Sequence, residues 1–589
     1  MSGSDYTTTP KLGLYKPVFN ADVGNWGAHW NSNADTLDSV TIANPVLATG
    51  STTPRMVQDR FADPINAADY GVVGNGTTDD SAALQAALNA AALANAGGGI
   101  VSIGRMRVYL ASSVTVPHNV RLTGEFRPTQ ANYSSGQDWY QYNSQIKLAA
   151  GATVTYGNCD HILFIAAGLY TTLPATVADA NALVAKFAGT AITASSTSDA
   201  FISDCWFLGF TYGIYAATAS RLNIDNCMFD CTNAVYQSNS SDVSRYHRLH
   251  CWPVLTGLIP GVDAVTNYAP LQRHGTAFHL VADTWTTLVD CFAYAYDTAY
   301  WDAGSSNSVF IGCHADYTTT NANSVAAWQF TGDFTYAKLV GCFTVAAKTG
   351  VIVNASGATG ATVNVVEVIG GSFINTAHCI DCTAGAVLAH GAEFDVGTVG
   401  INFAAGTVLG SVMGCNFNGV PTAIGYASAA VQGHVSSLGN TVSNGTPAPQ
   451  ELNINPLTVP QATVKNPTAE LALQATSGAT DQKNWDLYAD GSGNLQFRMP
   501  NDAFSTANYW LGVTRSGAAA QSVDVWATNV SLHGVIGLNG STWANAIGFN
   551  GAAPPTKPTV TGAKGGNTAL ASLLTALAAY GLITDSSTA

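Results

Sequence analysis

Asp204-Cys205-Trp206-Phe207 and Asn226-Cys227-Met228-Phe229 are one phrase written twice, and it returns as Asp290-Cys291-Phe292-Ala293, Gly312-Cys313-His314-Ala315 and Gly341-Cys342-Phe343-Thr344. His250-Cys251-Trp252-Pro253 fits between the second and third. Gly370-Gly371-Ser372-Phe373, Gly391-Ala392-Glu393-Phe394 and Gly414-Cys415-Asn416-Phe417 follow the fifth. The second positions of these nine frames are 22, 24, 40, 22, 29, 29, 21 and 23 residues apart, and seven of the eleven cysteines occupy them. A second column runs in phase, a small residue before a larger one. It comprises Gly213-Ile214, Ala234-Val235, Ala277-Phe278, Ala299-Tyr300, Ala327-Trp328, Gly350-Val351, Ala377-His378, Gly400-Ile401 and Ala423-Ile424.

Self-similarity at 20–30 residues is the mark of a solenoid. One such unit cannot bury its own apolar face, so coils must stack at the strand spacing of roughly 4.8 Å. Each repeat then reads as one coil of two or three short strands, with length variation confined to particular corners. The cysteine column is a packing ladder, because buried free cysteine behaves as a small hydrophobe. Disulfides between coils are the weaker reading in a chain without secretory context. Cys379 and Cys382 form a lone CxxC with no second pair, so no zinc site is expected.

Strand alternation assigns faces. With Cys205 inward, Trp206, Met228, Trp252, Phe292, His314, Phe343, Ser372, Glu393 and Asn416 point out. The second column adds Tyr215, Tyr236, His279 and Trp301. Such aromatic stripes are too apolar to be left to water. They are either covered, by a neighbouring subunit or a loop, or they form a platform on which pyranose rings stack.

Composition narrows the function classes. Only 10% of the 589 residues are charged, against about 25% in ordinary globular chains. An apolar share of 47% excludes charge-driven disorder. Twenty-two Lys and Arg against 37 Asp and Glu, net −15, argue against nucleic acid. No run approaches the ~18 apolar residues of a membrane span. The first residues, MSGSDYTTTPKLGLYK, have neither a basic region nor an apolar core, so no signal peptide is expected.

Upstream of the repeats, DYGVVGNGTTDDSAALQAALNAA (69–91) predicts a turn, then a helix from about Asp79 to Asn95. Asp79 and Asp80 suit its N-terminus, Leu84 and Leu88 form one stripe, and glycines end it. A strand, 99–110, follows. This stretch resembles the entry motif of the pectate-lyase-like superfamily of right-handed β-helices, common in phage tailspikes. The resemblance covers roughly residues 60–445 and implies an all-β, right-handed parallel β-helix with an N-terminal capping helix. It also implies a homotrimer, many relatives of which cleave host surface polysaccharide. The motif is structural, so it transfers no catalytic residue.

Residues 6–42 resemble the N-terminal segments of phage tail-fibre proteins that attach to the virion. The last 33 residues resemble a tail found on phage fibres. There Leu570, Leu573, Leu574 and Leu577 lie on one helix face. NWDLYADGSGNLQFRMP and NYWLGVTRSG alternate between Gly turns and predict a small antiparallel sandwich for trimerisation or glycan binding. The expected organisation is a virion-attachment segment (1–58), a β-helix (59–445), a linker (446–460), a β-rich domain (461–550) and a tail with a helix (551–589).

Glycan hydrolysis usually needs two carboxylates, about 5–5.5 Å apart for retention or 6.5–9.5 Å for inversion. Of the five glutamates, Glu393 stands two residues from Asp395 on an outward face, and this is the first candidate pair. The second is His250 with Asp290, expected on adjacent coils, with Asp204 along the same column and Asp283 and Asp302 nearby. Both stand beside the irregular coil, where an insertion, 253–275, must leave as a loop. Long loops on rigid scaffolds tend to carry function. Arg245, Arg248, His250, Arg273 and His274 would either grip an anionic sugar or pair with a neighbour's aspartates. Trp206, Trp252 and Trp301 are the candidate sugar platforms. No aspartate cluster reads as calcium, and no metal or cofactor is expected. The expected protein is a tailspike on the virion that binds, and through paired carboxylates depolymerises, a bacterial surface polysaccharide. The alternatives are a non-enzymatic receptor-binding spike and a lyase acting on a uronate.

Overall fold

The computed structural model describes residues 64–443, 469–526 and 558–589 apart from short internal stretches, the longest being 127–143, 318–323 and 356–363. Of the first 63 residues it describes four short strands and Asn33. The expected attachment segment lies mostly, and the linker 446–460 wholly, outside the described residues. Contacts divide the chain into Met1–Thr458 and Val459–Ala589.

The first unit is a parallel β-solenoid. Its strands form a fourteen-stranded sheet and a twenty-four-stranded sheet that bends into two ladders. Each coil therefore has three sides. In one coil the first ladder takes Phe201–Ser203, the second Trp206–Leu208 and the third Tyr212–Ala217. Each strand pairs in parallel with its counterpart 21 or 22 residues on, at Asn223–Asp225, Met228–Asp230 and Asn233–Ser238.

The repeated phrase is the corner between the first and second ladders. Its first position is left-handed in every coil: Asp204 (φ 52), Asn226 (51), Arg248 (54), Asp290 (51), Gly312 (57), Gly341 (59), Gly370 (61), Gly391 (64) and Gly414 (62). Glycine adopts this conformation without strain, and Asp and Asn are the side chains that tolerate it best. That explains why the phrase opens with Asp, Asn or Gly.

The corner corrects one frame. His250 pairs with Met228 and Phe292, and Cys251 with Phe229 and Ala293. Leu249, fully buried, therefore takes the cysteine position, and Arg248 takes the turn. The column is 205, 227, 249, 291, so the steps are 22, 22 and 42, and six cysteines share it rather than seven. A second frame shifts likewise. Ile380 pairs with Val351, so Cys379-Ile380 replaces Ala377-His378 as the small-large pair. All eleven cysteines are free and buried, so the ladder is packing.

The interior keeps a constant cross-section by trading volume between ladders. On the second, Phe164, Phe207 and Phe229 stack with centroids 5.1 and 4.8 Å apart. Phe373, Phe394 and Phe417 do so at 5.4 and 4.9 Å. Between these stacks the same ladder carries Cys251, Ala293, Ala315 and Thr344. There the third ladder swells to Phe278, Tyr300 and Trp328, stacked at 5.1 Å each. Elsewhere it carries Ile214, Val235, Val351, Ile380 and Ile401. Close-packed interiors demand this compensation.

The predicted helix is Ser81–Ala94, and Leu84, Ala87, Leu88 and Ala91 are fully buried in the solenoid core. Asp80 does not sit in solvent ahead of it. Its buried carboxylate accepts the backbone N–H of Val73 (2.7 Å) and Gly74 (3.1 Å), tying the turn to the helix start. The strand expected over 99–110 is two, Ile100–Gly104 and Arg107–Leu110, on different ladders.

In the second unit, five antiparallel strands run in sequence order from Ala469–Gln474 to Ala519–Val525. They form one sheet rather than a sandwich, and a separate two-stranded parallel sheet pairs Thr559–Ala563 with Thr584–Thr588. The terminal helix is Thr568–Ala579; Leu574 is buried, while Leu570 and Leu573 are exposed. No helix among the described residues is long and apolar enough to cross a membrane.

Two outcomes follow from this packing. Phe394→Ala removes the middle rung of a stack and should cost about 3–5 kcal/mol in the denaturant midpoint. A thiol reductant should leave the thermal midpoint unchanged, since no disulfide supports the fold.

Candidate functional site

The outward positions of the third ladder form a row of rings. Tyr215 and Tyr236 stack at 4.8 Å and 7°, and His279 stacks on Trp301 at 4.2 Å and 6°. Tyr236 meets His279 edge-on at 5.3 Å. All four are half-buried. The Trp301 indole donates to Thr331 Oγ1 (2.8 Å), which fixes its plane. Four rungs at the coil spacing span about 14 Å. Beyond Trp301 the row turns polar through Gln329 and later Asp381 and Asn402. Burial pushes the His279 imidazole down to about 4, so at neutral pH the row carries no charge.

The second ladder's outer row is largely covered. Trp206 is 4% exposed, packed edge-on beneath Phe126 at 5.6 Å. Met228 is buried. His250 stands against Phe292 (5.0 Å) and Trp252 against Tyr294 (4.7 Å). Over them lie Ile259, Val262, Tyr268 and Leu271 of the long loop, with Ala180 of the helix Val177–Val184. Arg273 anchors this loop. It is 1% exposed, its Nε bonds Asp230 Oδ1 at 2.7 Å, and its Nη1 and Nη2 reach Pro270 O (2.8 Å) and Thr256 Oγ1 (3.1 Å). Trp206, Trp252 and Arg273 are therefore structural, because the covering segments use the faces that a ligand would need.

The other candidates separate. His250 and Asp290 are not a stacked pair: His250 lies in the outward row, while Asp290 occupies the left-handed corner in line with Arg248. Arg248 is held by Asp225 through two hydrogen bonds of 3.0 and 2.5 Å. Asp204 accepts from Asn226 Nδ2 at 2.6 Å. Arg245 is exposed on the first ladder, and His274 is 59% exposed, 3.4 Å from Asp297. Asp283 and Asp302 lie inside the solenoid, not near its outer face.

Glu393 and Asp395 share the second ladder's outer side, where no loop among the described residues covers them. Glu393 is exposed, and Asp395 Oδ1 accepts from Asn418 Nδ2 at 3.0 Å. Two groups escaped the sequence reading. Asp316 stands two residues after outward His314, as Asp395 stands after Glu393, and burial raises its pKa. The same alternation would have found it. On the first ladder Tyr336, Lys338 and His390 surround Glu367, with Lys338 at 2.9 Å and His390 at 4.0 Å. The Tyr336 hydrogen bond holds the Glu367 carboxyl below its usual range. Tyr336 is raised by burial and by Glu367, and Lys338 by its bond to Glu367. The network links three adjacent coils of the first ladder.

The chain is thus a parallel β-solenoid with an uncharged aromatic row on one side and an open carboxylate pair on another. No family model matches its sequence, and no curated protein matches it. Solved structures similar to it include phage tailspikes and polysaccharide-acting enzymes. The tailspike of *E. coli* bacteriophage HK620, in complex with a pentasaccharide, is 12% identical over 69% of this chain and 73% of its own, with a TM-score of 0.38. ORF18 of Geobacillus virus E2 is 13% identical over 90% and 87%, TM-score 0.36. The catalytic unit of the GH87 alpha-1,3-glucanase from *Streptomyces thermodiastaticus* HF3-3 is 13% identical over 65% and 68%, TM-score 0.39.

Arg273→Ala leaves Asp230 buried and unpaired, and should cost about 3–5 kcal/mol, whereas Arg245→Ala should leave the denaturant midpoint in place. His279 carries a pH signature. Its folded value lies near 4 and the unfolded value is near 6.5, so below pH 6.5 the unfolded chain binds the extra proton. Its contribution is complete above about 6.5 and is lost as pH falls toward 4. His279→Phe should flatten that part of the thermal midpoint's acid slope.

Proposed function

We propose that the protein is a phage tailspike, a right-handed β-helix acting as a homotrimer on the virion and attached to the tail through residues 1–58. It binds a bacterial surface polysaccharide along the outside of its solenoid. The observation that carries this reading is the row Tyr215–Tyr236–His279–Trp301. It is apolar, uncharged, rigid and left open by the long loop. Aromatic faces at regular intervals suit the apolar faces of successive sugar rings, and a single polymer chain offers such rings at intervals.

Glu393 and Asp395 supply the chemistry in this reading. Residues i and i+2 on one face of a strand stand about 6.5–7 Å apart, which falls in the inverting range of roughly 6.5–9.5 Å. Asp395, oriented by Asn418, activates water, and Glu393 protonates the leaving oxygen. A binding-only spike is the second reading. It is favoured by the separation of the two features, which lie on different ladders with the acid pair several coils further on.

The test is to incubate the protein with surface polysaccharide and follow product size. Shortened products without ultraviolet-absorbing double bonds support a hydrolase, absorbing products a lyase, and an intact co-eluting polymer a binding spike. Glu393→Gln and Asp395→Asn should each cut turnover by about 10²-fold or more while binding persists. Trp301→Ala should weaken binding. Unchanged turnover in both acid variants removes this pair, and loss in His250→Ala or Asp290→Asn instead places the chemistry beside the long loop.

A further inference from the structure

Inside the corner between the third and first ladders, three adjacent interior columns turn largely polar over three coils, interrupted only by Leu280 between Gln237 and Asp302, and then apolar again. One coil contributes Gln237, Ser240 and Ser244, the next Asp283 and Thr286, and the third Asp302, Ser305 and Ser308. On one side the corner returns to Ala216, Ala219 and Leu222, and on the other to Phe330 and Ala337. All eight polar residues are buried. Two are carboxylates on neighbouring coils, and no Lys, Arg or His stands in these columns.

Backbone groups hold one oxygen of each acid. Ser240 N–H donates to Asp283 Oδ1 and Ser305 N–H to Asp302 Oδ1, both at 2.8 Å. The second oxygen of each, Asp283 Oδ2 and Asp302 Oδ2, is buried and has no hydrogen-bond partner. Neither does the Thr286 hydroxyl. Burial raises the Asp302 carboxyl, against hydrogen bonds from Ser308 and Ser305 that act to lower it. Without a counter-charge, burial and the neighbouring Asp302 push Asp283 up to about 7. Three free oxygens, two of them carboxylate, are a costly arrangement in an apolar tube.

We propose that this chamber is a calcium site built into the solenoid core. The donors are all oxygen, and no third His, Cys, Asp or Glu joins the two acids among the described residues, which suits a hard cation rather than zinc. The charge matches, two carboxylates to one divalent ion. Magnesium demands a small, near-octahedral shell and usually keeps several waters, whereas calcium accepts an irregular set of protein oxygens. The site is independent of the glycan reading, since it lies inside the tube.

Native mass spectrometry and elemental analysis of the full-length protein, purified without chelator, should find one calcium per chain. After incubation with EGTA under partly denaturing conditions the thermal midpoint should fall. Added calcium should restore it and added magnesium should not. Asp283→Asn/Asp302→Asn should carry no calcium and show no calcium-dependent shift. Wild-type protein without calcium overturns the proposal, whether or not the double variant folds. So does an Asp302→Asn variant that retains full calcium, because the acid would then be no ligand.

Discussion

Parallel stacking at one strand spacing gives every residue a neighbour of the same rank about 4.8 Å above and below it. The rest of the structure depends on that constraint. A ring must lie on a ring or on something flat, hence Phe164–Phe207–Phe229 inside and His279–Trp301 outside. A like charge would lie on a like charge, so charge is scarce, and several of the charges present are paired across coils. Arg221 bridges Asp199 and Asp242, Arg248 holds Asp225, and Arg121 holds Asp160, each link crossing to another coil. With only 22 cationic side chains, spending arginines as clips leaves few to recognise an anion.

The same constraint governs the corners. A bend repeated at the same rank needs the same unusual backbone each time, and the left-handed residues between first and second ladders supply it. Glycine fills the later coils and Asp or Asn the earlier ones. Arg248 is the exception. A left-handed arginine is disfavoured by roughly 1–2 kcal/mol, and its two bonds to Asp225 offset that.

This rule also marks how far the sequence could be read. The repeats, the inward cysteines and the outward row of the third ladder were legible, because period and alternation are properties of the chain alone. Cys251 misled because a frame was anchored on a residue type when the conserved property is the turn conformation, which Arg248 disguises. The inward placement of Asp283 and Asp302 was hidden for a related reason. Nothing in a linear sequence shows that Asp302 stands between Leu280 and Phe330. Likewise Trp206 alternates outward as expected, but Phe126, eighty residues earlier, covers it. Exposure depends on what other segments do, which periodicity does not encode.

That distinction separates the two outward aromatic rows. Two outward aromatic rows exist, and each is built by alternation from the same kind of strand. The long loop, fastened by the buried Arg273–Asp230 pair, closes over the part of the second-ladder row at His250, Trp252, Phe292 and Tyr294. Nothing among the described residues does the same for Tyr236, His279 and Trp301. The insertion therefore covers one apolar row and leaves the other uncovered among the described residues. A covered row adds stability to the coils beneath it. An uncovered row keeps its apolar surface in water, which is a cost the covered row does not carry.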